Sequence, residues 1–257
     1  DKMAFDVIFA TAVAHELDSV LRGSRIEKVY QPSKEEILLF CRVGRETKKL
    51  IISACPSSAR VCFTDSQAEN PAVPPMLCML LRKHLSGALI EEIGTVGFER
   101  AIKITFSCHD ELGFECRRYI IAEIMGKYSN IIFAGDDGGK MKILGVTKPV
   151  DFTTSRVRQV LPGMIYEAPP PQEKLDPLKE TYEGFISRFE NYPAGKDADR
   201  FFIDTYLGFS PTVARELVCR ARAVGRCASE TNPEKLYRAF SALMENVRNR
   251  VFVPYMA

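Results

Sequence analysis

The apolar residues at the start of the chain follow the spacing of an amphipathic helix. Between residues 4 and 22 they recur at intervals of three and four, and Gly23, a residue type that commonly ends helices, comes next. Short segments rich in β-branched and aliphatic residues then alternate with turn signals, which predicts strands. These strands are Arg25 to Tyr30, Glu36 to Val43, Lys49 to Ala54 and Arg60 to Thr64.

A proline-led helix and a second group of strands follow. The pair Pro74-Pro75 suits a first helical turn and predicts a helix from Met76 to Leu85. The next strands are Leu89 to Ile93, Arg100 to Ser107, Glu115 to Met125, Asn130 to Ala134 and Lys142 to Val146, with a hairpin turn at residues 136–139. Because strands follow one another instead of alternating with helices, the fold class is α+β.

The pattern changes after Gly163. Three consecutive prolines, residues 169–171, form a stiff segment that suits an interdomain connector. The sequence therefore predicts an α+β domain over residues 3–168, a connector over 169–175 and a helical domain over 176–257. The predicted helices of that last domain are Asp176 to Glu190, Ala198 to Leu207, Pro211 to Val224 and Pro233 to Arg250.

Composition and charge exclude several classes of protein. The net charge of the 257 residues is only +2, so a nucleic-acid footprint has to be a local patch. The eight cysteines contain no C-x-x-C pair, the three histidines are dispersed, and no G-x-S-x-G segment marks a nucleophile. We therefore expect no metal, no cofactor, no small-molecule substrate and no catalytic residue.

No segment has the run of apolar residues that a membrane span needs. The apolar stretch from Val7 to Ala14 is too short, and no basic region precedes it. Asp1 and Lys2 come before Met3, which is a plausible native start. We expect no membrane contact and a cytoplasmic location.

The segment from Tyr206 to Ala214 resembles a helix-hairpin-helix. A helix is predicted to end at Gly208, Ser210 can cap the next helix, and Pro211 can begin it, so that backbone N–H groups would face a phosphate. Arg215 follows on that helix, and residues 201–257 hold eight Lys and Arg against five Asp and Glu. An ordinary helical corner with a solvated basic face is the alternative.

Other polar residues interrupt apolar segments. Arg82 and Lys83 end the helix that begins at Met76, where they either form a solvated tip or contact phosphate. Glu99-Arg100 lies between two predicted strands, as a salt-bridged turn or an exposed recognition tip. Glu123 stands in an apolar strand and is followed by Lys127; a carboxylate there is costly unless it is paired or faces outward.

Several segments together resemble the N-terminal part of the fibronectin-binding protein A family, also called NFACT. The matching pieces include RIEKVYQP at residues 25–32, PPMLCMLLRKHL at 74–85, EIMGKYSNI at 123–131 and Leu161-Pro162-Gly163. The match spans nearly the whole chain. This chain has Val7, Leu77 and Glu99 where the family usually has Gly, Phe and Asp.

The resemblance implies a fold and a role. The N-terminal domain would be a β-sandwich with flanking helices, similar to the N-domain of formamidopyrimidine-type DNA glycosylases, and an all-helical region with the helix-hairpin-helix would follow. The family binds large ribosomal subunits that carry an obstructing peptidyl-tRNA, and its bacterial members recruit alanyl-tRNA for untemplated C-terminal tailing. Since ribosomal RNA transfers the peptide there, this chain would position tRNA and would not be an enzyme.

By the same resemblance, the tRNA-contact surface would include Asp6, Glu99, Arg100, Glu123, Ile124 and Met125. Arg82, Lys83, Lys127, Gly208 and Arg215 are added as ribosome or tRNA contacts on their charge and position. Two other functions compete with this one. A glycosylase-like DNA enzyme would need an N-terminal proline amine as nucleophile, but Ala4 follows Met3. A fibronectin-binding surface adhesin would need secretion, for which no signal peptide is visible.

Overall fold

The computed structural model describes residues 5–66, 69–170, 172–221, 228 and 231–253. Contacts divide the chain into two compact units. One comprises residues 13–170 and is called the sheet unit here; the other comprises residues up to Ala12 together with those from Pro171 onward and is called the helical unit. The first helix, α1 (Val7–Leu21), has residues in both units.

The sheet unit holds nine strands in one antiparallel sheet with the order β4-β3-β2-β1-β5-β6-β7-β8-β9. The strands are β1 (Arg25–Ser33), β2 (Glu36–Val43), β3 (Glu46–Ser53), β4 (Arg60–Phe63), β5 (Leu89–Thr95), β6 (Ala101–His109), β7 (Glu115–Glu123), β8 (Asn130–Asp137) and β9 (Lys140–Val146). Strands β1 and β5 meet over a short stretch, where Arg25 pairs with Leu89 and four backbone hydrogen bonds join residues 23–26 to residues 87–90. The strands β4 to β1 on one side of this stretch are called the four-stranded part here, and those from β5 to β9 are called the five-stranded part.

Helix α2 (Met76–Leu85) joins the two parts of the sheet, because it contacts β1, β6 and β9. Its buried residues Cys78, Leu81 and Leu85 face the sheet. Gly145 of β9 allows the close approach, since a Cβ there would lie 2.8 Å from Cδ1 of Leu77. Apolar side chains buried between α2 and the sheet form a core of this unit.

The segment after β9 covers the other face of the five-stranded part. Val150 and Val160 pair in an isolated bridge that closes a loop, which is called the 150–160 loop here. Val160 and Tyr166 pack with Ala101, Ile121, Ile132 and Ile143 in a buried cluster. The loop is therefore fixed at both of its ends.

The helical unit consists of α3 (Tyr182–Glu190), α4 (Ala198–Thr205), α5 (Pro211–Arg220) and α6 (Pro233–Arg248). The side chains of Thr181, Ser210 and Asn232 cap α3, α5 and α6 by accepting from backbone N–H groups. Aromatic rings fill the space between the helices; for example, the ring centroids of Phe185 and Phe240 are 5.2 Å apart. These stacked and edge-on contacts stabilise a core that also contains the buried aliphatic residues Leu217, Leu236 and Val247.

The α+β class is confirmed, and β2 and α2 have the predicted bounds. The helices predicted to begin at Asp176 and Ala198 differ most from the prediction, the first for a local reason and the second because of a long-range bridge. The helix predicted from Asp176 is divided into a 3-10 helix, Pro177–Lys179, and α3, because Asp176 and Thr181 each cap a separate start. Helix α4 ends before Tyr206, which instead forms a parallel bridge with Leu175.

Some predictions concern residues outside those described, among them Pro171 of the connector and the end of the helix predicted to reach Val224. The likeness to glycosylase N-domains and the helix-hairpin-helix assignment stay predictions. In the described part of the chain, no helix is long and apolar enough to cross a membrane.

Candidate nucleic-acid interface

One end of the five-stranded part brings together five residues that the sequence singled out. Ala101, the first residue of β6, pairs with Glu123, the last residue of β7. The Ile124 amide then donates to the Arg100 carbonyl at 2.8 Å. Glu99 and Arg100 therefore lie beside Glu123, Ile124 and Met125 at this end, which is called the sheet end here.

Glu123 is buried at the sheet end and fully engaged. The residue is 2% exposed, and Arg158 donates to both of its carboxylate oxygens, at 2.7 and 3.0 Å. The Tyr166 hydroxyl donates to Oε1 at 3.0 Å. The hydrogen bonds and charge of Glu123 raise the pKa of Arg158, although burial opposes this. An unpaired carboxylate buried in an apolar strand would cost free energy, and the bidentate hydrogen bonds with Arg158 offset that cost.

This buried pair has a positional consequence. Arg158 belongs to the 150–160 loop, so the ion pair attaches that loop to the end of β7. Ile124 is buried as well. Glu123 and Ile124 therefore support the sheet end from its buried side. Their direct contact with RNA stays a prediction.

The residues just after Ile124 face outward. Met125 is half-buried, and its amide donates to Ser129 Oγ at 2.8 Å, which fixes the 3-10 helix Gly126–Tyr128. Lys127 is exposed, with Nζ 4.8 Å from the ring centroid of Tyr128. Tyr128 is itself 71% exposed. An exposed ring beside an ammonium group is suited to stacking on a base next to a phosphate.

Glu99 and Arg100 are both half-buried in the turn before β6. Burial raises the pKa of the Glu99 carboxyl, and the neighbouring Arg100 opposes this rise. Among the described residues, no carboxylate lies within ion-pair distance of the Arg100 side chain. The arrangement is therefore not the salt-bridged turn that was the alternative in the sequence.

Sequence reasoning missed the 150–160 loop as part of this end. Phe152 is 73% exposed, and Arg156 is exposed too. Asp151 holds the turn between them, because its carboxylate accepts from the backbone and hydroxyl groups of Thr153 and Thr154. These bonds, chiefly from the Thr153 hydroxyl, lower the pKa of Asp151 to about 2. Asp151 with Thr153 and Thr154 is a recognisable turn signal in the sequence. Phe152 lies within this turn, and Arg156 and Arg158 follow it.

Arg82 and Lys83 lie elsewhere in the sheet unit. Arg82 Nε donates to the Val29 carbonyl at 2.8 Å, and its guanidinium stands 5.3 Å from the Tyr30 ring centroid. Lys83 Nζ pairs with Glu111 at 2.5 Å, beside the β6–β7 turn. That turn is at the opposite end of β6 and β7 from Ala101 and Glu123. The structure thus does not bring these two cations to the sheet end.

In the helical unit, the turn between α4 and α5 has the predicted backbone. Gly208 has a φ of +80°, and the Ser210 hydroxyl accepts from the Val213 amide at 3.3 Å. The protein's own carboxylate, however, lies at this turn. Asp6 is buried and accepts from the Ser210 hydroxyl at 2.6 Å and from the Phe9 amide at 2.8 Å. A negative group thus already stands at the start of α1 and beside the start of α5.

The described basic residues of α5 have acidic partners. Arg215 Nε lies 3.6 Å from Asp199, and Arg220 Nε lies 2.7 Å from Glu216. The turn therefore offers less unbalanced positive charge than its sequence indicates. In the described part of the chain, no group of three or more His, Cys, Asp or Glu side chains could hold a metal ion.

Residues 6–257 match the family model described as NFACT N-terminal and middle domains. The chain is 37% identical over 252 residues to the Rqc2 homolog RqcH of Bacillus subtilis, covering 98% of this chain and 42% of that protein. It is 42% identical over 176 residues to the Rqc2 homolog RqcH of Streptococcus pneumoniae D39, covering 68% of this chain and 32% of that protein.

A solved structure with the same fold is the N-terminal part of the fibronectin/fibrinogen-binding protein of Streptococcus suis. Its TM-score to this chain is 0.79 at 32% identity, covering 93% of this chain and 85% of the other. The chain thus spans well under half the length of the curated relatives, and nearly all of this solved N-terminal part.

Proposed function

Because this chain belongs to the NFACT family, we propose that it is the RNA-positioning part of a ribosome quality-control factor. It binds large ribosomal subunits that still carry a peptidyl-tRNA, and it positions a tRNA, alanyl-tRNA in the bacterial case, for untemplated C-terminal tailing. The observation that carries this proposal is the likeness to an Rqc2 homolog over 98% of the chain. Such a factor works where ribosomes are, in the cytoplasm.

The sheet end is the surface that we assign to RNA. Lys127 and Arg156 are exposed, and neither forms an ion pair with another described residue. A cation without an acidic partner is available to neutralise a phosphate, and the counterions released from the phosphate backbone then favour binding. Tyr128 and Phe152 add exposed rings on which unpaired bases of a tRNA loop can stack.

The role of the chain in this proposal is positioning. Arg100 and Lys127 hold phosphates, Met125 and Tyr128 contact bases, and the buried pair of Glu123 and Arg158 keeps their backbone in place. Ribosomal RNA performs the transfer of the nascent peptide, so no residue of this chain acts as nucleophile or general base.

The test is sedimentation of the chain with large subunits that carry peptidyl-tRNA and with empty ones, followed by sequencing of the bound RNA. We expect binding to the loaded subunits with a tRNA retained. Arg100→Ala should reduce retention of the tRNA without lowering the midpoint of thermal unfolding. The matched control is Arg45→Ala, because Arg45 is an exposed arginine in the β2–β3 turn, away from the sheet end. Equal binding by all three proteins, or no binding at low salt, would contradict the proposal.

A second candidate function comes from the relative in Streptococcus suis, which is named a fibronectin/fibrinogen-binding protein. Adhesion and RNA binding predict different responses to substitution. If Arg100→Ala abolishes tRNA retention but leaves fibronectin binding intact, two separate surfaces exist. Fibronectin binding without any interaction with RNA or ribosomes would favour the adhesin.

The glycosylase-like DNA enzyme is tested by incubating the chain with damaged DNA. We expect no base to be released.

A further inference from the structure

Two cysteines face each other across β6 and β7. The register pairs Cys108 directly with Cys116, and no bulge interrupts it. The Asp110 amide donates to the Phe114 carbonyl at 2.9 Å, and hydrogen-bonded pairs alternate along an antiparallel ladder, so Cys108 and Cys116 form a pair of this type too. The Cα atoms of such a pair are about 5.5 Å apart, within the range that a disulfide spans.

The two thiols differ in access. Cys108 is buried, whereas Cys116 is half-buried, and both are free thiols. Burial, with a smaller contribution from the nearby Cys116, raises the pKa of Cys108 to about 11, while Arg118 opposes that rise. Cys116 is thus the thiol that an oxidant in solution reaches first, and Cys108 is the shielded neighbour that can resolve the product.

We propose that Cys108 and Cys116 form a reversible disulfide when the protein meets hydrogen peroxide. The Cys116 thiolate attacks one peroxide oxygen; an S–O bond forms, the O–O bond breaks, and hydroxide leaves. The Cys108 sulfur gives up its proton and attacks the sulfenic sulfur; the S–S bond forms, the S–O bond breaks, and a second hydroxide leaves. The two thiols lose two electrons and two protons in total, and the peroxide becomes two molecules of water.

The position in the ladder makes this bond easy to reduce. Directly opposed Cβ atoms of a hydrogen-bonded pair stand close to 5.5 Å apart, whereas a relaxed disulfide needs roughly 3.5–4.5 Å. The strands have to draw together, which raises the reduction potential, so a cellular dithiol can restore the free pair.

The inference does not depend on the proposed function and needs no variant for its first test. The full chain is treated with hydrogen peroxide, alkylated in denaturant and cleaved with trypsin. Cleavage after Lys103 and Arg117 leaves both cysteines in one peptide, Ile104–Arg117. We expect this peptide to lose both alkylation sites, to become two hydrogen atoms lighter, and to recover both sites after treatment with dithiothreitol.

Cys62 provides the matched internal control, because it is also a half-buried cysteine on a strand, but Ile51 faces it. It should remain open to alkylation under conditions that close the pair. In Cys108→Ser, the oxidised Cys116 should instead be trapped by a sulfenic-acid reagent. If the wild-type peptide keeps both thiols until Cys62 is oxidised, or ends as a sulfinic acid at Cys116, the proposal is wrong.

Discussion

The sheet end and the turn between α4 and α5 both combine arginines with a buried carboxylate, but they use it differently. At the sheet end, Glu123 pairs with the half-buried Arg158, and the exposed Lys127 has no acidic partner among the described residues. At the turn, Asp6 accepts from Ser210 beside the start of α5, and Arg215 lies close to Asp199. The first arrangement leaves cations for a ligand, and the second balances them within the protein.

A basic sequence therefore does not by itself make an anion site. The turn has the positive φ at Gly208 and the capped start of α5 that the sequence predicted. The partial positive charge of a helix start attracts any nearby anion, and a carboxylate of the same chain is always at hand. What remains available to RNA is decided by where the carboxylates lie.

The largest expected effect is on the buried pair. Glu123→Ala removes the partner of Arg158 and leaves a buried guanidinium without a counterion, which should cost about 3–5 kcal/mol of unfolding free energy. Urea unfolding of the chain measures this loss. The double variant Glu123→Leu with Arg158→Met should recover most of it, since an apolar pair needs no counterion. If Glu123→Ala unfolds like wild type, Glu123 does not support the sheet end.

Asp6→Ala should cost less, about 2 kcal/mol, because it removes a helix cap and a hydrogen bond to a charged group. Its control is Asp197→Ala: Asp197 stands at the N-cap of α4, but its side chain makes no cap hydrogen bond. That variant should stay within about 0.5 kcal/mol of wild type in the same unfolding assay. Equal losses for the two variants would show that Asp6 is not a structural anion.

Gly208→Ala should cost about 1–2 kcal/mol, because an L-residue is strained at a φ of +80°. Gly195 lies in the same unit, has no positive φ and would admit a Cβ freely. Gly195→Ala should therefore leave the midpoint of thermal unfolding nearly unchanged. A tolerated Gly208→Ala would mean that the turn adopts another backbone in solution.

Much of the fold could be predicted, because its elements are set by local signals. The pair Pro74-Pro75 before α2, and the run of apolar residues in β2 that ends at Gly44, predict these two elements to the residue. The predicted helix ends were less accurate where a long-range partner competes, as when Leu175 pairs with Tyr206 beyond α4. No local sequence pattern predicts such a bridge.

The site was predicted only in part, for a related reason. Glu123 was recognised as a carboxylate that needs a partner, but the sequence does not indicate that Arg158, 35 residues later, provides it. For the same reason the sequence did not indicate that the 150–160 loop belongs to the sheet end, because the ion pair of Arg158 with Glu123 places it there. Likewise, the sequence separates Asp6 from Ser210 by 204 positions, and only the fold shows that they share a hydrogen bond.

In the proposed function, unbalanced charge at the sheet end, and not at the turn between α4 and α5, holds RNA. The salt dependence of tRNA binding by wild type, Lys127→Ala and Arg215→Ala tests this assignment. Both substitutions remove one exposed cation, but only Arg215 has an acidic partner among the described residues. We expect Lys127→Ala to weaken binding and to reduce the log-log slope by roughly 0.7–0.9, the value of one lost phosphate contact. Arg215→Ala should match wild type across the titration, and the reverse pattern would contradict the account.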